Sequence, residues 1–203
     1  MTPDSNRSTK IAGIVIKLTN PSILSVILLL LIAFAKPETL RESLGWISLI
    51  FITYMVIPVI YLYTRTKLNL KQLKSLVELT IFLKTHPVDI LILALCLGIP
   101  CLFILLAFHA PAILTTTVIA LVAGSIVTSL FNLFYRVSYH LTGLTVLVIM
   151  AAQAWGPAYL MLGVTIPLVF WAKYHNREHT IPQLMIGLIV SVVISLAAIR
   201  LFR

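Results

Sequence analysis

Apolar residues in this chain gather into long runs separated by short polar connections. The runs cover residues 23–35, 44–63, 88–108, 112–134, 141–154, 158–172 and 182–201. They are continuous rather than alternating, and most approach the ~20 residues that a helix needs to cross a bilayer. The first is short for a crossing, so it either begins earlier, near Ile14, or tilts little. Pro100 falls inside the third run and should kink it. Two stretches differ from the rest. Residues 1–20 are polar, then amphipathic, and read as an interfacial segment leading to Pro21. Residues 64–87 place Leu70, Leu73, Leu76 and Val77 at helical spacing with lysines between them, the pattern of an amphipathic helix lying on a membrane surface. The predicted fold class is therefore all-α. The expectation is a polytopic membrane helix bundle of six to seven transmembrane helices plus an interfacial amphipathic helix, in a single domain covering residues 1–203.

Composition sharpens this picture. Hydrophobic residues make up 60% of the chain and charged residues 10%, whereas soluble domains sit nearer half and a quarter. The formal charge of +9 would suggest nucleic acid in a soluble protein, but no basic stripe interleaved with aromatics is visible and nucleic acid is set aside. The cations lie between runs. With seven crossings, the N-terminus and the connections after the second, fourth and sixth runs share one side, which holds nearly all the Lys and Arg. On the other side Lys36 and Arg41 are balanced by Glu38 and Glu42, and the C-terminus adds Arg200 and Arg203. This bias points the cationic side to the cytoplasm. Cys96 and Cys101 are five apart on an expected helix, face different directions and are not expected to bond. The opening MTPDSNRSTK lacks the pattern of a cleavable secretory leader.

Three polar segments meet on the cationic side. Lys67 and Lys74 are two helical turns apart and share a face; they serve either as snorkelling lysines or as anion ligands. Arg136, Ser138 and His140 alternate just before a run, where Arg136 can anchor the span and Ser138 can cap the next helix. The third segment, Lys173, His175, Arg177, Glu178 and His179, reads at its simplest as a loop that sets topology. His175, Glu178 and His179 also spell H-x-x-E-H, an inverted zinc-protease pattern. Pro182 disfavours one helix running through both histidines, and no acidic residue follows Glu178 to complete a ligand set. A phosphate site fits the inventory better and needs no metal or cofactor. The lysines and arginines neutralise phosphate oxygens, Ser138 offers a hydroxyl, and His140 and His179 can attack phosphorus or transfer protons near neutral pH.

These residues resemble the type 2 phosphatidic acid phosphatase superfamily, whose motifs are K-x6-R-P, P-S-G-H and S-R-x5-H-x3-D. Lys67 and Lys74 stand at the first, Ser138 and His140 at the second, and Lys173, His179 and Gln183 at the third, with Gly187 four residues further on. The likeness covers residues 67–203. Arginine is lysine at two positions, Ser75, Val137 and Tyr139 replace motif residues, and Gln183 replaces the aspartate. The resemblance implies that His179 forms a phosphohistidine, that His140 protonates the leaving alcohol and then activates water, and that Lys67, Lys74, Ser138 and Lys173 hold phosphate oxygens. Arg136 and Arg177 would add to the phosphate clamp. An amide at Gln183 can orient His179 but cannot offset its charge. The corresponding Asp-to-Asn change in a serine-protease triad, a published example, costs about 10⁴ in rate. The partners expected are a phosphorylated lipid or isoprenoid substrate and membrane lipids; oligomeric state is open. Three readings remain: a membrane phosphatase, a non-catalytic relative that binds anionic headgroups, and a transporter component with broken helices at Pro100, WGP and Pro167. Against the last, no Asp or Glu is expected deep in a span.

Overall fold

The computed structural model describes residues 3–37, 39–66 and 87–202. Lys67, Lys74 and the amphipathic stretch that carries them lie outside the described residues. Within them the chain is helical, with no strand.

The N-terminal helix α1 (Pro3–Leu18) ends at Thr19 and Asn20. The Asn20 side chain accepts from the Ser22 backbone N–H and starts α2 (Pro21–Ala35), with Pro21 at the first helical position, where its missing N–H costs nothing. Thr39 caps α3 (Leu40–Phe51) by accepting from Glu42 N–H at 3.2 Å. A π-turn over Ile52–Val56 joins it to α4 (Ile57–Thr66). The chain resumes in α5 (Pro87–Leu93), a π-turn over Ala94–Gly98 and α6 (Ile99–Ala107). Pro100 thus acts one turn upstream of itself. Its missing N–H and its ring disturb the carbonyl four residues back, at Cys96, and the helix widens there. His109 adopts a left-handed φ of 52° and ends this helix. Its N–H meets Leu106 O and the Ala110 N–H meets Leu105 O, which is the Schellman pattern.

Two helices form the centre: α7 (Ala112–Phe134) and α8 (Tyr139–Trp155). They pack on each other, and α2 and α10 (Ile181–Phe202) pack on both. The core is a cluster of Leu29, Ile32, Leu114, Val118 and Met150, all fully buried. Phe103, Phe108, Phe134, Met161 and Leu201 face outward and are exposed, as lipid-facing side chains are in a bilayer.

Five helical stretches are long and apolar enough to cross a membrane: Ser8–Ala35, Leu40–Tyr61, Pro87–Ala107, Ala112–Phe134 and Ile181–Phe202. They are consistent with an integral membrane protein. The other two apolar runs depart from the pattern. α8 is apolar but only 17 residues long. The run 158–172 is not one α-helix. It opens as a 3₁₀ helix (Pro157–Val164) and only then becomes α9 (Thr165–His175). The local sequence accounts for this: Gly156 has φ 111°, Pro157 follows it, and Pro167 sits in the first turn of α9, where proline is tolerated. Asp89 lies in the first turn of α5, buried, and accepts from the Tyr61 hydroxyl at 2.8 Å. An acid at that end of a helix is favourably placed in the helix dipole.

Candidate functional site

The site forms where the start of α8, the end of α9 and the start of α10 meet. The chain reaches α8 through residues 135–138, a short link held down by one amide. Asn132, in the last turn of α7, donates through Nδ2 to Thr128 O at 2.8 Å and to Val137 O at 3.1 Å, while its Oδ1 accepts from Val137 N–H at 3.1 Å. Both peptide groups of the buried Val137 are thereby satisfied, and the link folds back along α7. The Tyr139 hydroxyl reaches Ser129 Oγ at 3.2 Å and pins the next residues the same way. Ser138 then caps α8, its Oγ accepting from Leu141 N–H at 3.4 Å. The cap leaves the Ser138 hydroxyl proton available to a ligand.

α10 comes unusually close to this start. A Cβ on Gly187 would sit 3.2 Å from Thr142 Oγ1 and 3.3 Å from Ser138 O. The Thr142 hydroxyl is shared between Ser138 O at 3.1 Å and Gly187 O at 3.3 Å. Glycine suits this position because of the close approach, not because of an unusual φ.

α9 ends in a second Schellman turn. Arg177 takes a left-handed φ of 54°. Its N–H meets Tyr174 O at 3.0 Å, and the Glu178 N–H reaches back to Lys173 O at 3.1 Å. The two residues thus brought together usually make an apolar contact in this motif. Here they form an ion pair, Lys173 Nζ with Glu178 Oε2. Lys173 is 2% exposed, whereas Glu178 is 41% exposed.

Two cavities flank this turn. The inner one, about 490 Å³, is bordered by Asn132, Arg136, Ser138, His140, Lys173, Glu178 and His179, with Pro87 from α5. The outer one, about 590 Å³, is bordered by Trp171, Tyr174, His175, Arg177, Thr180 and Gln183, and again by Glu178 and His179. Glu178 and His179 therefore form the wall between them. Arg136, Ser138, His140, Lys173 and His179 come together at the inner cavity. Arg177 and Gln183 do not; they border only the outer one.

Gln183 has a structural task. Its Oε1 accepts from Thr180 N–H at 3.0 Å, and Thr180 O accepts from Leu184 N–H. Thr180-x-x-Gln183 is thus half of a capping box for α10. The amide oxygen that the motif resemblance would give to orienting His179 is spent on the helix start. His175 stacks on Trp171 with ring centroids 5.3 Å apart, and its Nε2 lies 3.0 Å from Ser8 Oγ. No group of three His, Cys, Asp or Glu among the described residues is arranged to hold a metal ion.

Two site residues escaped sequence reasoning. Thr19 Oγ1 lies 3.0 Å from His140 Nε2 and also meets Val15 O at 2.7 Å. With Ser8 on His175 and Thr19 on His140, α1 straps the ends of α8 and α9 that carry the site, and it packs on α9. Nothing local in residues 1–20 signals this. Asn132 did carry a signal: it is the sole amide side chain in the apolar stretch 112–134.

Comparison of the chain with protein-family models, curated proteins and solved structures finds no match in any of the three.

Proposed function

We propose that this chain is an integral membrane phosphatase acting on a phosphate monoester or diphosphate of a lipid or isoprenoid, related to the type 2 phosphatidic acid phosphatases and weakened in its chemistry. One observation carries the reading: two histidines, a capping serine, a buried lysine and an arginine border one cavity at the ends of apolar helices. Phosphoryl transfer needs little more than charge neutralisation, a nucleophile and a proton carrier. His179 attacks the terminal phosphorus, and the bond from that phosphorus to the leaving oxygen breaks as the N–P bond forms. His140 gives its proton to that oxygen, which leaves as the alcohol of a monoester or as the phosphate monoester of a diphosphate. It then takes a proton from the water that attacks the phosphohistidine, and inorganic phosphate leaves with His179 restored. Lys173, Arg136 and the Ser138 hydroxyl hold the non-bridging oxygens. The apolar tail stays between helices.

The topology that goes with this reading has seven crossings. α8 makes a short one, and the 3₁₀ segment with α9 makes the return. The site then opens on the side richer in Lys and Arg, proposed as cytoplasmic. One observation favours a second reading, a headgroup binder without turnover: Gln183 is committed to Thr180.

The deciding experiment is phosphate release by detergent-purified protein from phosphatidate, isoprenyl phosphate and isoprenyl diphosphate, beside His179→Ala and Gln183→Asp. Release that vanishes in His179→Ala and rises in Gln183→Asp supports the weakened phosphatase. Phosphatidate binding without release from any form supports the binder. Neither binding nor release defeats both readings.

A further inference from the structure

We propose that Thr19 is a positioning residue for His140: it holds the imidazole as the Nε2–H tautomer and leaves Nδ1 as the nitrogen that exchanges a proton. The tautomer assignment stands on hydrogen-bond valence, and its part in catalysis rests on the phosphatase reading above. Thr19 lies at the end of α1 and meets two partners through one hydroxyl. Its Oγ1 is 2.7 Å from Val15 O and 3.0 Å from His140 Nε2. A hydroxyl has one proton to give and lone pairs to receive with, whereas a carbonyl oxygen can only accept. Two oxygens 2.7 Å apart repel unless a proton lies between them, so Thr19 gives its proton to Val15 O. The contact with His140 then runs the other way: Nε2–H donates and Thr19 Oγ1 accepts. The reverse assignment would leave Val15 O and Thr19 Oγ1 in bare contact. The Thr19 backbone N–H meets the same carbonyl at 3.0 Å, so the residue is tied twice to the last turn of α1. Its side chain cannot rotate to offer its proton elsewhere without giving up the bond to Val15 O.

The rest of the ring follows. A neutral imidazole carries one proton, and with Nε2 protonated the basic nitrogen is Nδ1. His140 is buried and borders the inner cavity, and its Nδ1 is shielded from solvent. A proton held there passes to a bound substrate in preference to bulk water. In the proposed cycle, Nδ1–H of the imidazolium gives its proton to the leaving oxygen. His140 is then neutral, with Nε2–H still on Thr19. Nδ1 next takes a proton from the water that attacks the phosphohistidine, and the imidazolium is restored. Nε2 keeps its proton through both steps. A ring free to change tautomer would present the wrong nitrogen part of the time. In a serine-protease triad a buried carboxylate prevents this; here a neutral hydroxyl does so, from the end of α1.

The test begins with nitrogen NMR on the unaltered full-length protein in detergent, isotope-labelled at histidine. The chain has five histidines, and the signals lost in His140→Gln assign the ring. At a pH where the ring is neutral, Nε2 is expected protonated and Nδ1 unprotonated, with the reverse tautomer about tenfold less populated. Thr19→Val keeps the branched shape and removes the acceptor, so the ratio should shift toward Nδ1–H by about threefold to tenfold. Thr19→Ser keeps the hydroxyl and should restore it. Phosphate release from isoprenyl phosphate should lose about tenfold in kcat in Thr19→Val and recover in Thr19→Ser. KM should change by less than about twofold, because Thr19 does not border the inner cavity. Nδ1–H as the dominant tautomer of the unaltered chain overturns the inference, and that result needs no variant to fold. A changed tautomer ratio with unchanged kcat makes Thr19 a structural partner, and a raised KM at constant kcat makes it a binding contact; either overturns the positioning role. No release from any form defeats the phosphatase reading and the catalytic role with it, while the nitrogen shifts still decide the tautomer.

Discussion

Asn132 offers the sharpest test of how the site is held. Replacing it with alanine removes three hydrogen bonds, at 2.8 and 3.1 Å from Nδ2 and 3.1 Å to Oδ1. Two of them satisfy the peptide N–H and C=O of Val137, which is 1% exposed. An orphaned buried polar group costs about 1–3 kcal/mol, so the pair sets a range of about 2–6 kcal/mol. Asn132 itself borders the inner cavity, and water entering from there can replace part of what is lost. The expected cost is therefore near the bottom of the range, about 2–3 kcal/mol. Asn132→Asp should be worse than alanine. It keeps an acceptor for Val137 N–H but turns a carboxylate oxygen toward the carbonyls of Thr128 and Val137. It should also weaken phosphate binding by placing a negative charge on the cavity. The assay is equilibrium unfolding in mixed micelles with increasing SDS, followed by phosphate binding on the folded variants. A cost below about 0.5 kcal/mol for alanine, or aspartate tolerated better than alanine, would refute the argument that this amide positions Ser138 and His140.

Two further outcomes follow from backbone geometry. Arg177→Gly relieves a left-handed φ of 54° and should stabilise the protein by about 1 kcal/mol in the same unfolding assay; destabilisation would mean that the arginine side chain holds the turn. Gly143→Ala would place a Cβ 2.7 Å from Pro21 Cβ and 3.3 Å from Cγ, both in a rigid ring at the head of α2. It should cost about 1–3 kcal/mol, and the shifted α2 should speed proteolysis within α1; neutral stability would show that α2 moves freely on α8.

The sequence conveys the broad architecture because its signals are local. Apolar runs mark the long apolar helices, and Pro21, Thr39, Ser138 and Pro157 mark helix starts through caps and missing donors. The gathering of Arg136, Ser138, His140, Lys173 and His179 follows from chain reversal: α8 leads away from the site and α9 leads back. The rest depended on contacts between distant segments or on rules with no residue signature. Thr19 meets His140 across 121 positions. Arg177 occupies a place where glycine would have announced the turn. The run 158–172 has the hydropathy of a span, and its 3₁₀ winding follows from Gly156 and Pro157 acting together. Gln183 was locally legible as a T-x-x-Q cap, but a motif comparison draws attention to the aspartate it replaces and away from the helix it starts.

The length of α8 has a consequence for the bilayer itself. Its 17 residues span about 25 Å at 1.5 Å per residue, against a hydrocarbon thickness of about 30 Å. Its neighbours α7 and α10, with 23 and 22 residues, reach the full thickness. The shortfall lies partly at the site, because Val137 is tied to Asn132 and Tyr139 to Ser129, both inside the end of α7. In the proposed seven-crossing topology His140 and Ser138 then sit below the level where headgroups rest. For the proposed lipid substrate to reach them, the membrane thins over this patch or a headgroup descends to it, and either adjustment becomes harder as the acyl chains lengthen. On that reading lipid thickness, and not only lipid chemistry, governs how readily the cavity is filled.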